Sequence, residues 1–231
     1  MSFFRSIKSY KGTAFEVIVI VFGVMLSFLL NEIRLDLDDK DEAISTLQQI
    51  KTDLEKDLYD TNINYAVEDT ALHKFSFIIG LMEDRLEYSE KYNAEFDYLR
   101  TNSFLLPSTT GLHILNSKGV DYLTNDSLRV KFLSLHNYLY AERLGYFNIF
   151  NYNLQRMNQF VAENFNRTEE MYFNFEIQPN DYDSLLNDSY FKNLIFECYD
   201  GHSNIFYCDS IIKVEILDIL PLVDREIAKL Q

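Results

Sequence analysis

Fourteen consecutive residues near the start of the chain, 17–30, carry no charge and a single polar side chain, Ser27. As a helix they rise about 21 Å, short of a hydrocarbon core of roughly 30 Å. Extended to residues 13–33 the segment reaches about 31 Å, with Glu16 near one interface and Asn31 and Glu32 near the other. A different pattern starts at Asp41. Ile44, Leu47, Ile50, Leu54, Leu58, Tyr65, Leu72, Phe75, Ile79 and Met82 recur mostly at spacings of three and four, with gaps of seven before Tyr65 and Leu72. That is the stripe of one long amphipathic helix, or two in series, to about Arg85, with Glu55, Lys56 and Asp57 on its wet face. Residues 86–125 hold the expected break, where Pro107 and Gly111 punctuate the chain. Asn125, Asp126 and Ser127 read as an N-cap cluster for a helix through Leu128, Phe132, Leu135, Leu139 and Leu144 to about Phe165, kinked near Gly145. Residues 166–180 look irregular, with a short extended piece suggested by the alternation at Tyr172–Phe175. Asp188 caps a helix to about Cys198, and a last helix begins near Asp209 and is kinked or ended by Pro221. The expected fold is all-α: an N-terminal transmembrane helix followed by a helical, bundle-like domain.

Composition supports a packed domain. Of 231 residues, 47% are hydrophobic and 15% aromatic, which excludes a disordered chain, and three Pro and seven Gly are few for a sandwich or barrel. Charge adds a direction. Arg5, Lys8 and Lys11 precede the apolar segment with no acid among residues 1–13, whereas the net charge of the whole chain is −15. Beyond the segment, Arg34 and Lys40 are outnumbered by Glu32, Asp36, Asp38, Asp39, Asp41 and Glu42. The positive-inside rule then leaves residues 1–12 as a cytoplasmic tail and puts everything from about residue 34 to 231 on the far side, periplasmic or extracellular. No small-residue cleavage site follows Leu30, so an uncleaved signal-anchor fits better than a signal peptide. The acidic run Asp36–Glu42 suits either a helix N-terminus or a solvated juxtamembrane face. So acidic a domain is repelled by phosphate backbones, and no nucleic-acid partner is expected.

Candidate chemistry is sparse. Glu16 is an ionisable group at the edge of an apolar helix, where it either snorkels to the interface or pairs with a partner helix. Gly23 and Ser27 form a small-xxx-small pair that lets helices approach, and Asn31 stands at the exit of the segment. Cys198 and Cys208, ten apart, either form a disulfide across a helix-loop-helix or are two buried free thiols. His202 lies between them without a fourth ligand at a metal-site spacing. His73, His113 and His136 are isolated and read as surface or satisfied residues. No G-x-S-x-G, H-E-x-x-H or glycine-rich phosphate loop occurs, so no catalytic, metal or cofactor residue is named and no enzyme is expected.

The string from Glu16 to Val24, followed by Leu26-Ser27 and Asn31-Glu32, resembles the opening of domain-of-unknown-function family 6090. The likeness continues over Thr110–Val120, Asn125–Arg129 and Tyr182–Asp188 with Phe191, and so touches most of the chain. The resemblance implies a bacterial, mainly Bacteroidota, single-pass inner-membrane protein. The family's Trp just after the exit Asn is missing, since this chain has no Trp. The family has no established activity, so no residue role is carried over.

The expected function is therefore that of an accessory, scaffold or interaction module anchored in the lipid bilayer, binding another envelope protein or forming a homo-oligomer. The alternative is a ligand-binding sensor or enzyme with a polar pocket lined by Tyr and Asp or Glu.

Overall fold

A computed structural model describes the backbone of residues 3–167 and 177–231, and their side chains apart from residues 3–14, 17, 18, 36 and 121. The chain is mostly helical, 86%. Its first element, α1, runs unbroken from Phe3 to Asp84, 82 residues or about 123 Å of helix. No proline occurs before Pro107 to interrupt it. It stops where Arg85 takes the left-handed conformation at φ 51°, a helix-terminating geometry. The acidic run thus lies inside α1 and not at a helix start. Asp38, Asp39, Asp41 and Glu42 are exposed there, and Glu42 pairs with Lys118, so the solvated-face reading applies.

Short elements follow: a 3-10 turn, α2 (Asn93–Phe96), a second 3-10 turn over Asp97–Arg100, and α3 (Thr110–Lys118). Next comes α4 (Asp126–Ser134), capped by Asn125, whose side chain accepts from the Leu128 N–H at 3.0 Å. It passes through a five-residue π turn, Leu135–Leu139, into α5 (Tyr140–Asn164). The irregularity expected at Gly145 therefore falls earlier. Leu135 and Tyr140 are both buried but stand five apart, and the wider π turn keeps both on the core side. Strands β1 (Phe165–Arg167) and β2 (Ile177–Pro179) form an antiparallel pair, Asn166 opposite Gln178. The alternation at Tyr172–Phe175 lies outside the described residues. After α6 (Tyr182–Asn187), α7 runs from Ser189 to Leu230 behind its Asp188 cap. The two helices expected around Cys198 and Asp209 are this one helix, and Pro221 sits inside it without ending it.

The three long helices set the architecture. α7 lies antiparallel to α1, as the contacts Lys51–Asp224, Tyr65–Phe206 and Glu68–His202 establish, and antiparallel to α5 through Arg143–Asp209 and Arg156–Glu197. Apolar packing falls into two clusters along this frame. One gathers Leu47, Ile50 and Leu54 of α1 with Leu128, Phe132, Ile212 and Ile216. The other gathers Phe75, Ile78 and Leu81 with Phe96, Phe150, Phe191 and Leu194. Each large side chain fully buried there contributes about 1.5–3 kcal/mol.

Candidate functional site

Between the two clusters the inner stripe of α1 turns polar. Asp53, Asp57, Thr61, Asn64 and Glu68 follow at intervals of four, four, three and four, the period of one helix face, and all five are buried. Asp57, expected on the wet face, is therefore fully enclosed. The seven-residue gaps in the apolar stripe bracket this face, because Thr61, Asn64 and Glu68 occupy the inward positions around Tyr65.

Other elements meet this stripe with hydrogen-bonding partners. Asp53 accepts from the Gly111 N–H at 2.7 Å and from Gln49 at 2.8 Å. A Cβ at Gly111 would come within 2.7 Å of Ile50 Cγ1, so only glycine lets α3 approach α1 closely enough for that bond. Asp57 accepts from the Ser108 N–H at 2.8 Å and from the Tyr140 hydroxyl at 2.7 Å. The Asn64 amide donates to the Phe104 carbonyl at 3.2 Å. Glu68 Oε2 lies 2.6 Å from His202 Nδ1, with both side chains fully buried and the imidazole between the rings of Phe75 and Phe150. About two turns further along α7, Asp209 takes a two-pronged contact from Arg143, at 2.5 and 3.1 Å, and the same guanidinium donates to Ser103 at 3.1 Å.

Burial dominates the electrostatics here. It raises the Asp209 carboxyl above its ordinary range against the opposing Arg143 contact, and raises Asp57 against the bonds from Tyr140 and Ser108. It also raises the Tyr140 hydroxyl, which Asp57 raises further. His136, on the π turn and edge-on to Phe132 and Tyr140, is pushed down to about 4 by burial, with Asp53 acting weakly in the other direction. It is half-buried with Nε2 lacking a partner among the described residues, so it is neither a surface nor a satisfied histidine. Thr61 Oγ1, Glu68 Oε1 and His202 Nε2 are likewise buried without a partner there.

This belt has acid–base residues but no access. General acid–base chemistry requires reach to a substrate proton, and Glu68, His202 and Asp209 are sealed at 0% exposure. Their geometry instead locks the registers of α1, α5 and α7, since a slip would leave buried charges unpaired. Among the described residues no three His, Cys, Asp or Glu side chains stand close enough to hold a metal ion. The open space lies at the surface. A groove of about 330 Å³ runs between the 101–109 segment and α5, lined by Phe104, Leu106, Pro107, His136 and Leu144. A smaller one, about 240 Å³, lies between Leu47, Tyr122, Leu128, Glu226 and Lys229.

The cysteines resolve in favour of the open alternative. Both are buried free thiols on α7, and ten helical residues separate their Cα atoms by about 15 Å, whereas a disulfide needs less than about 7 Å. Burial pushes Cys198 up to about 12 and Cys208 up to about 11.

The residues picked from the N-terminal segment sit on α1 where it leaves the packed domain. At 100° per residue, Glu16, Gly23, Ser27 and Asn31 share a face about 80° wide. Gly23, Ser27 and Asn31 line a shallow groove of about 500 Å³ with Ile20, Val24 and Phe28, and the Ser27 hydroxyl donates to the Gly23 carbonyl at 2.9 Å. From residue 19 to residue 30 the other faces are apolar and exposed, including Phe22 at 67%, Met25 at 59% and Phe28 at 72%. Among the described residues no helix is long and apolar enough to cross a membrane. The window 13–33 includes Thr13, Ala14, Val17 and Ile18, whose side chains lie outside those described. The transmembrane helix expected there is thus not a feature of the described fold; an exposed apolar helix is.

No family model matches the chain. No similar curated protein and no similar solved structure was found.

Proposed function

We propose that this chain is a membrane-anchored helical interaction module whose N-terminal part of α1 inserts in a lipid bilayer and whose packed domain stands beside it as a docking platform. One observation carries the reading. Twelve consecutive residues, 19–30, are exposed, and apart from Gly23 and Ser27 all are large and apolar, on a helix continuous with the domain. A helix apolar on every side is stable only when its whole circumference is taken out of water, as in a bilayer. Glu16 and the Asn31–Glu32 pair bound the run, and Arg5, Lys8 and Lys11 before it favour a cytoplasmic N-terminus with the acidic domain across the membrane. A bacterial inner membrane with a periplasmic domain fits that topology. The closed ionic belt supports a scaffold role over chemistry, because the charged groups of the interior are spent on helix register.

The ligand-sensor reading has one observation behind it, the 330 Å³ groove beside the π turn, since π turns gather at functional sites. Topology mapping decides the main proposal. Single cysteines at Ser2 and Ser117 in a cysteine-free background, labelled in intact cells with a membrane-impermeant maleimide, should react only at Ser117. Labelling at both sites, or at neither, argues against an anchored domain outside the cytoplasm.

A further inference from the structure

The outer face of α5 carries a long run of exposed positions without charge, which ends at the exposed Glu163 in its last turn. From residue 137 to residue 162 every exposed position is uncharged, eleven positions over seven turns. The exposed positions of α1 in the domain include Glu55, Lys56, Asp69 and Glu83, and those of α7 include Asp200 and Asp224. In a chain with 25% charged residues and a net charge of −15, a long face free of charge stands out. It is also organised. Tyr138, Ala141, Gly145, Asn148, Tyr152 and Gln155 alternate at three and four, the repeat of a helix–helix seam, and Leu144 and Ile149 flank it at 49% and 67% exposure.

Gly145 provides a second, separate argument. Glycine weakens a helix interior, and nothing beyond the adjoining residues and backbone of its own helix lies within 4 Å of where its Cβ would stand, so packing within the fold does not require a glycine there. A bare backbone at the middle of an exposed seam is suited to close approach by another helix.

We infer that this face is an interface between two copies of the chain, pairing α5 with α5 across Gly145. Charge selects this occupant. A different protein recognising so acidic a domain would draw on its carboxylates, and from residue 137 to residue 162 this face exposes none. Two copies of the same acidic chain repel each other over most of their surface and can meet only where the charge is absent. The seam's amide side chains, Asn148 and Gln155, each both donate and accept, so they are self-complementary. The charged groups nearest the seam are Glu142 and Arg156, half-buried at its sides with Arg156 engaged by Glu197, and the exposed Glu163 beyond its C-terminal end, which accepts from Gln159 at 3.1 Å. The inference deepens the docking role proposed above, but the pairing itself does not require the anchor.

The test is the mass of the full chain in mild detergent by light scattering and sedimentation equilibrium. Wild type should be a dimer. Gly145→Glu and Ile149→Glu should each weaken it at least tenfold in dissociation constant without lowering helicity or melting temperature. Val214→Glu, on the exposed side of α7, should leave it unchanged. A monomeric wild type would overturn the inference, as would a dimer that survives both α5 substitutions. So would a wild-type complex containing a different protein that Gly145→Glu releases. A monomeric wild type that still sediments with membranes would overturn the dimer alone and leave the anchored module standing.

Discussion

Replacing Arg143 by Met tests the belt at its most enclosed point. The Arg143 side chain is 3% exposed and that of Asp209 is 0%, joined by two hydrogen bonds. Methionine fills the stem's volume but leaves the Asp209 carboxylate buried and unpaired, which costs about 3–5 kcal/mol. That is a large fraction of the roughly 5–15 kcal/mol a domain possesses. Asp209→Leu alone should cost about as much, because it strands the guanidinium. The double variant removes both charges and should return to within about 1–2 kcal/mol of wild type, giving a coupling energy of about 3 kcal/mol or more. Chemical denaturation followed by far-UV circular dichroism, at pH 7 and again near pH 5, measures all four corners. Burial already raises the Asp209 carboxyl, and losing Arg143 raises it further. The folded Arg143→Met variant therefore binds a proton the unfolded chain binds only at lower pH. Stability tied to that proton is lost as pH rises through the folded value, so the penalty should shrink as pH falls. A penalty below about 1 kcal/mol, or a double variant as unstable as the singles, would refute a sealed pair.

Three further outcomes follow from the same geometry. Folded His136 is held near 4, below the ordinary 6.5, so the unfolded chain takes up a proton in that window and the folded one does not. Wild type should lose about 2 kcal/mol relative to His136→Phe between pH 7 and pH 4.5, and parallel pH profiles would contradict this. Gly111→Ala should cost about 2 kcal/mol or more, since the new methyl meets Ile50 and breaks the bond to Asp53; a neutral effect in denaturant melts would show that α3 can shift. Cys198 and Cys208 should resist a thiol reagent in the folded protein and both react after unfolding, with no disulfide dimer or loop on nonreducing gels.

Much of the frame was legible because periodicity reports burial directly. The apolar stripe located α1 in the domain, and Asn125 and Asp188 marked real helix starts. The belt escaped because a hydrophobic pattern reads carboxylates as wet. Asp57 and Glu68 become interior residues only once Tyr140 and His202, more than eighty positions away, supply their partners. The gaps before Tyr65 and Leu72 were the available signal, since a helix that keeps its register through polar inward positions needs polar company opposite. A break was expected between Cys198 and Asp209, but α7 runs through both, and Asp209 faces Arg143 and caps nothing. The uncharged face of α5 was visible in the residues yet unmarked, because which side faces out is fixed only by the packing of the other.

Membrane extraction tests the central claim most directly. Membranes from cells making the full chain are washed at pH 11 in carbonate and sedimented, beside a form lacking residues 1–37. The account predicts that the full chain stays in the pellet and is released only by detergent, while the shortened form appears folded in the soluble fraction. Release of the full chain by carbonate would contradict an inserted anchor and leave the exposed apolar helix to be covered by protein instead.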